Sequence, residues 1–503
     1  NYQFFSMRNS RIIRLVRLLS AAELRKFVQF VESPFFNQNE KLLKMARIIH
    51  ESAPDFGEAS LKKERVFKLI YGEAAVYEEQ KIHDLVSLLH RLFEKYLTIQ
   101  QIEKDPITQN RYLLTALADR NEGDHFKRVY KSTLKKLGQK KHEIPMYHLQ
   151  EFLLEEQVAV FAQKNGKYKE ANTSLGKLVK ELDIFYLVER LKYVIEKINR
   201  QQALQSSPET EEFDFFHQMI KELDRDMVLK VPIVKIYLQV YLMLTDFEVE
   251  IYFTDLISLL DTHAEEISPH ELFAVYSQAQ NYCIKKVNSG KREFLESLFA
   301  IYQSMLDRGL LIRNGFMHQH VYKNITSNAL YLQKYEWTLE FLNTYKRKLP
   351  PDQQENAYAY NLANYHYEQK EYREAMQLLL QVDFPNWRYH LGTKSMLLRI
   401  YYELRDEDGL NYLIQALKVY LHRHKEIPKY QSQNHLNLMR FSQKALLLHT
   451  NKPFIKSSEF YKRIIKLRDK VTSTPGIAYG GWLQQKVKEL EELIPQENVP
   501  ANS

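Results

Sequence analysis

One cysteine, Cys283, occurs among 503 residues, which excludes an internal disulfide framework and a zinc site built from cysteines alone. Glycine (14) and proline (15) are both scarce for this length, so ready turns are few and long helices are favoured. No apolar run approaches the roughly 20 residues that a membrane-spanning helix needs. The most apolar stretch, 231–244, is broken by Lys235 and Gln239. Arg14 and Arg17 interrupt residues 12–19 where a secretory signal requires apolar continuity. A cytoplasmic protein without a membrane partner is expected, with Met7 as a natural start and residues 1–6 as an appendage. Strand patterns of period two are nearly absent.

Hydrophobic residues make up 45% of the chain and charged ones 27%, enough apolar material for a packed core. The length exceeds what one core usually organises, so several units or a repeat stack are expected. The net charge of +8 is unevenly spread. Residues 125–142 contain no acid but carry Lys127, Arg128, Lys131, Lys135, Lys136, Lys140 and Lys141. Residues 205–274 hold fifteen acids against four bases, and in 409–458 eight bases face only Glu426.

Nearly every segment has helical period. Ser20 and Glu23 form a capping box that opens a helix bearing Leu24, Phe27, Val28 and Val31, which Ser33-Pro34 stops. A second helix runs from Asn39 to Pro54, and a short and a long one, 62–70 and 78–102, flank Tyr71-Gly72. Ser268-Pro269-His270-Glu271 reads as another capping box.

The segment 361–380, NLANYHYEQKEYREAMQLLL, carries Leu362 and Ala363 mid-helix, then a turn, Tyr372, and a small Ala375 where two helices approach closely. It resembles the tetratricopeptide repeat. Tyr168 and Ala171 repeat the pattern after Gly166, Thr338 replaces the small residue after Tyr335, and Leu410 is a larger substitute. Residues 288–295 are a degenerate copy. Thr338, Ala375 and Leu410 are 37 and 35 positions apart, close to the family's period of about 34. The chain, Glu32–Asn37 in particular, also resembles bacterial cytoplasmic proteins with tetratricopeptide-like repeats, a likeness that brings no activity with it.

The resemblance implies an all-α, right-handed α-solenoid of helical hairpins. Residues 7–145 would form an atypical, basic helical region, 146–450 the repeats, and 451–503 capping helices and tail. It further implies that first helices line a concave groove, placing His320, Lys323, Ser327, Tyr360, Asn364, Tyr367, Ser395, Arg399 and Tyr402 there. Cations, an amide and phenols of this kind suit an extended peptide; the alternative is that these residues are solvated or covered by the chain's own carboxy-terminal helices.

Two cationic stripes stand apart from the groove. Arg8, Arg11, Arg14 and Arg17 repeat every three residues, and Lys127, Lys131 and Lys135 every four with Tyr130 interleaved. They suit nucleic-acid phosphates or an acidic protein. Helices 62–102 could also be drawn as a helix-turn-helix, but bases are not concentrated on the second member.

Catalytic constellations do not emerge. Gly290-Lys291 lacks the rest of a phosphate loop. Gly476, Gly480 and Gly481 follow no strand and read as a linker before a helix at 482–493. His318/His320 and His422/His424 are two apart, a spacing that diverges by about 200° on a helix. Cys283 sits in an apolar helix as a small hydrophobe. No cofactor or metal is expected. The leading expectation is a non-catalytic adaptor for a peptide or protein subunit; the alternative is association with RNA, the ribosome or DNA through the basic amino-terminal third.

Overall fold

The computed structural model describes residues 6–139, 145–204, 218 and 231–493. Lys140, Lys141 and residues 205–217 and 219–230 of the acidic segment singled out above lie outside the described residues. The chain is all-α, 78% helical with 22 helices among the described residues. It divides into two compact units: residues 1–196 with 209–234, and residues 197–208 with 235–503. The division falls inside a long helix.

The first unit begins with α1 (Arg11–Val16), α2 (Ala21–Glu32), α3 (Glu40–Glu51), α4 (Lys63–Tyr71) and α5 (Glu79–Glu103). The capping box at α2 is complete: the Ser20 hydroxyl accepts from Glu23 N–H at 3.3 Å, and Glu23 accepts from Ser20 N–H at 2.8 Å. Asn39 caps α3, and Gly72 ends α4 at φ 101°. Ile12, Phe27, Met45, Val66 and Leu89 form one core with their neighbours. A second core, including Leu114, Phe126, Leu137 and Leu154, joins α6 (Pro106–Asp119), α7 (Gly123–Gly138) and α8 (Met146–Lys164). The helix α9 (Tyr168–Leu204) follows, 37 residues long.

Beyond it come α10 (Pro232–Thr245), α11 (Ile251–His263), α12 (Pro269–Asn288) and α13 (Phe294–Asp307). Ser268 caps α12, yet the box is not reciprocal, because the Glu271 carboxylate turns to accept from the buried Tyr237 hydroxyl. A two-stranded ribbon, β1 (Ile312–Arg313) with β2 (Phe316–Met317), then interrupts the helices. Its turn, Asn314-Gly315, holds φ at 51° and 86°, a conformation that tight hairpins need and Asn-Gly supplies.

The second unit continues through α14 (Gln319–Tyr331), α15 (Tyr335–Tyr345), α16 (Gln354–Glu368), α17 (Tyr372–Gln381), α18 (Trp387–Glu403), α19 (Glu407–Arg423) and α20 (Lys429–Asn451). It ends with α21 (Ser457–Ser473) and α22 (Gly480–Glu492). Alternate helices touch, α14 with α16, α16 with α18 and α18 with α20, besides each helix with its neighbour. Helical hairpins cannot bury both faces alone, and stacking the next one completes the core.

One turn recurs through both units. Asn121, Gly166, Gly290, Gln333, Lys370 and Arg405 all have φ between 55° and 101°. In each case the next residue's N–H reaches back five positions: Glu122 to Leu117, Lys167 to Ala162, Lys291 to Lys286, Lys334 to Ala329, Glu371 to His366 and Asp406 to Tyr401, all at 2.9–3.0 Å. This is a Schellman stop, which satisfies helix-end carbonyls and reverses the chain. Five residues after the left-handed position, Phe126, Ala171, Thr338, Ala375 and Leu410 are buried against the preceding helix. Leu295 is only partly buried, and Phe294 takes its place. The α6–α7 hairpin thus shares a geometry that its sequence does not advertise.

Candidate binding groove

Helices α14, α16 and α18 carry the nine predicted groove residues, and the structure sorts them into an open and a covered set. His320, Lys323, Ser327 and Asn364 retain exposure. The Tyr389 hydroxyl and His320 Nδ1 are hydrogen-bonded at 2.8 Å, with their rings stacked at 5.0 Å. Burial, then the neighbouring His318, Lys323 and Arg388, push the His320 pKa down. Lys323 Nζ sits 5.5 Å from the Tyr360 ring centroid and 5.3 Å from that of Tyr389. Burial lowers its pKa too, and among the described residues no carboxylate pairs with it. Tyr360 is buried beneath, and Gly392 makes room for it: a Cβ there would meet the Tyr360 hydroxyl at 3.1 Å.

Tyr360, Tyr367, Ser395, Arg399 and Tyr402 are buried, the arrangement expected of residues covered by the chain itself. The cover is the chain's own carboxy-terminal part. Arg399 is 8% exposed, its guanidinium held between the Tyr367 and Tyr479 rings, 4.5 Å from each. Its Nε has no hydrogen-bond partner, and Glu368 feels the charge without pairing. Trp482 meets Tyr402 edge-on at 5.2 Å and donates from Nε1 to Glu403 at 3.2 Å; Lys486 pairs with Glu403 at 2.9 Å. Ser395 Oγ lies 3.1 Å from His435 Nδ1, and burial pushes the His435 pKa down to about 4.

The loop expected to be a linker is what places this cover. Asn437 Nδ2 donates to Gly476 O at 3.0 Å and Ala478 N–H to Asn434 O at 3.1 Å. Gly476 stands at φ 70° so close to Asn434 that a Cβ would lie 2.3 Å from its Oδ1. The final helix starts at Gly480, two residues earlier than the sequence suggested. Sequence reasoning missed the roles of Tyr389, His435, Tyr479 and Trp482, which no local motif announces.

In the first unit, Arg8, Arg11, Arg14 and Arg17 are exposed opposite buried Ile12, Ile13 and Val16. Lys127, Lys131 and Lys135 are exposed on α7. The interleaved Tyr130 is tied down, its hydroxyl donating to the buried Glu155. That phenol is not free to stack on a base.

Cys283 is fully buried, and desolvation lifts its thiol to about 12, which suppresses the nucleophilic thiolate. His318 caps α14 rather than lying within it, so the His318 and His320 rings stack at 5.0 Å instead of diverging. Among the described residues no three His, Cys, Asp or Glu side chains group to hold a metal ion. No helix among them is long and apolar enough to cross a membrane. Compared with known proteins, the chain matches no family model and no curated protein.

Proposed function

We propose that this protein is a non-catalytic, cytoplasmic interaction scaffold. Its second unit is read as a right-handed stack of tetratricopeptide-like hairpins whose inner helices receive a protein segment. One observation carries the reading: Lys323 is a half-buried cation on an aromatic shelf of Tyr360 and Tyr389, with no counter-charge among the described residues. An ammonium so placed gains from an acceptor that replaces its lost hydration. A carboxylate or backbone carbonyl of a peptide supplies that acceptor, with Asn364 and Ser327 beside it for backbone bonds.

Purification from native cells, followed by mass spectrometry, tests the proposal. A stoichiometric protein partner that is retained by the unaltered chain and lost with Lys323→Glu, at unchanged melting temperature, supports it. Capture that survives Lys323→Glu and Asn364→Ala together removes the groove.

A second reading rests on a different observation. All seven cations of the two amino-terminal stripes are exposed, and among the described residues no carboxylate pairs with them. They would hold phosphates of RNA, the ribosome or DNA in a salt-dependent manner. Reversing Lys131 and Lys135 to Glu should then weaken nucleic-acid retention; unchanged retention ends this reading.

A further inference from the structure

The basic run at 409–458 was not absorbed by the groove, and one of its bases, Lys444, joins Arg463, Lys466 and Lys470 at a different place. Lys444, Leu447, Leu448 and Asn451 on α20 face Arg463, Lys466, Leu467 and Lys470 on α21 across a cavity of about 670 Å³. Phe454, 86% exposed, and Ile455 close one end. Both helices contribute residues at i, i+3, i+4 and i+7, the stripe that a third helix packs against.

The floor is aliphatic and the walls are cationic. Among the described residues Lys444, Lys466 and Lys470 have no carboxylate partner. The nearby acids are engaged elsewhere, Glu459 by Arg463 at 2.7 Å and Asp469 by Arg468 at 3.1 Å. The Lys444 pKa is lowered by partial burial and then by the charges of Arg440, Lys470 and Lys466, so the walls repel one another as they stand. The α20–α21 pair already accepts one amphipathic helix, α22, whose Leu483, Val487 and Leu490 join its core. The cavity lies along another face of the same two helices.

We propose that this groove docks an acidic amphipathic helix of a partner protein. Acids on that helix neutralise Lys444, Lys466 and Lys470, while its apolar stripe covers Leu447, Leu448 and Leu467. Nucleic-acid phosphates leave an aliphatic floor bare. The charge pattern and the floor together select the acidic helix.

The test uses the full chain and a short fluorescein-labelled peptide of Glu, Ala and Leu with leucines at i, i+3, i+4 and i+7, read by anisotropy at about 0.1 M salt. A scrambled peptide of equal composition is the control. The patterned peptide should bind about tenfold tighter than the scrambled one, and Lys466→Glu with Lys470→Glu should weaken it about tenfold or more. Leu447→Ser should weaken it several-fold, and Lys466→Arg should leave it intact. All three positions are exposed, so folding is expected to survive, and a melting curve checks it. Equal binding of both peptides, no binding, or insensitivity to the lysine reversals overturns the proposal. So does tighter binding of single-stranded DNA or phosphatidylglycerol vesicles that ignores Leu447→Ser. Self-association in sedimentation that the lysine reversals abolish overturns it in favour of a second copy of this chain.

Discussion

The guanidinium carbon of Arg399 lies 4.5 Å from the ring centroid of Tyr479. A residue expected at the floor of an open groove is therefore the anchor for the chain's own last loop. Cation–π pairing at a sheltered site contributes about 1–2 kcal/mol. Tyr479→Ala should lower unfolding stability by about that much, and Trp482→Ala by about 2 kcal/mol through lost aromatic burial. Urea unfolding measures both. In the double variant, proteolysis should cut 474–481 faster than in the unaltered chain; equal rates would show that these rings do not hold the loop.

The same cover makes stability pH-dependent through His435, whose pKa is depressed by burial from 6.5 to about 4. The unfolded chain then binds more protons between those values, so stability falls as the pH drops from 6.5 towards 4. At most about 3 kcal/mol is at stake. His320, His390 and His449 are depressed in the same direction, and they add to the slope. Replacing His435 by Gln should flatten the dependence of the urea midpoint between pH 7 and pH 4.5. An unchanged slope would assign it to the other histidines.

The helices of this chain were legible in its sequence because caps and stops are local. Ser20, Asn39 and Gly72 each act within one turn, and their helices begin and end within a residue or two of the expected places. The stop after α16 was also visible, as the turn before Tyr372. What sequence could not reveal is long-range. Burial of Tyr367, Arg399 and Tyr402 depends on Tyr479 and Trp482, and no periodicity links those segments. Glu271 shows the same limit. It has the right spacing for a capping box, but Tyr237, on α10, takes its carboxylate. The Asn314-Gly315 ribbon was locally encoded and overlooked, because two-residue strands fall below any alternation pattern.

Lys286 is fully buried, with Nζ 3.2 Å from Glu248, 3.4 Å from Glu250 and 4.3 Å from the Phe247 ring centroid. Both carboxylates keep contact with water, so they tolerate losing the lysine better than the lysine tolerates losing them. Lys286→Met should cost less than about 1 kcal/mol, whereas Glu248→Gln with Glu250→Gln should cost about 2–3 kcal/mol. Chemical denaturation of the two variants gives the order. The reverse order would mean that the ion pair, and not burial of an uncompensated charge, governs this site.

The repeated turn offers the most direct check on the hairpin geometry. Gln333, Lys370 and Arg405 occupy left-handed backbone at φ 56°, 63° and 61°, which costs a side-chain-bearing residue about 1 kcal/mol. Glycine removes that strain but adds unfolded-state freedom worth about 0.4–1 kcal/mol. Lys370→Gly should therefore be neutral to slightly stabilising, within about 0.5 kcal/mol. The neighbouring Glu371→Gly, at φ −84°, should destabilise by about 1 kcal/mol because it gains freedom without relieving strain. Ala375→Leu, at a fully buried helix contact, should cost about 3 kcal/mol by overpacking. Thermal unfolding of the three variants separates the effects. A Lys370→Gly loss equal to that of Glu371→Gly would place Lys370 in ordinary helical backbone and dissolve the common stop on which the hairpins turn.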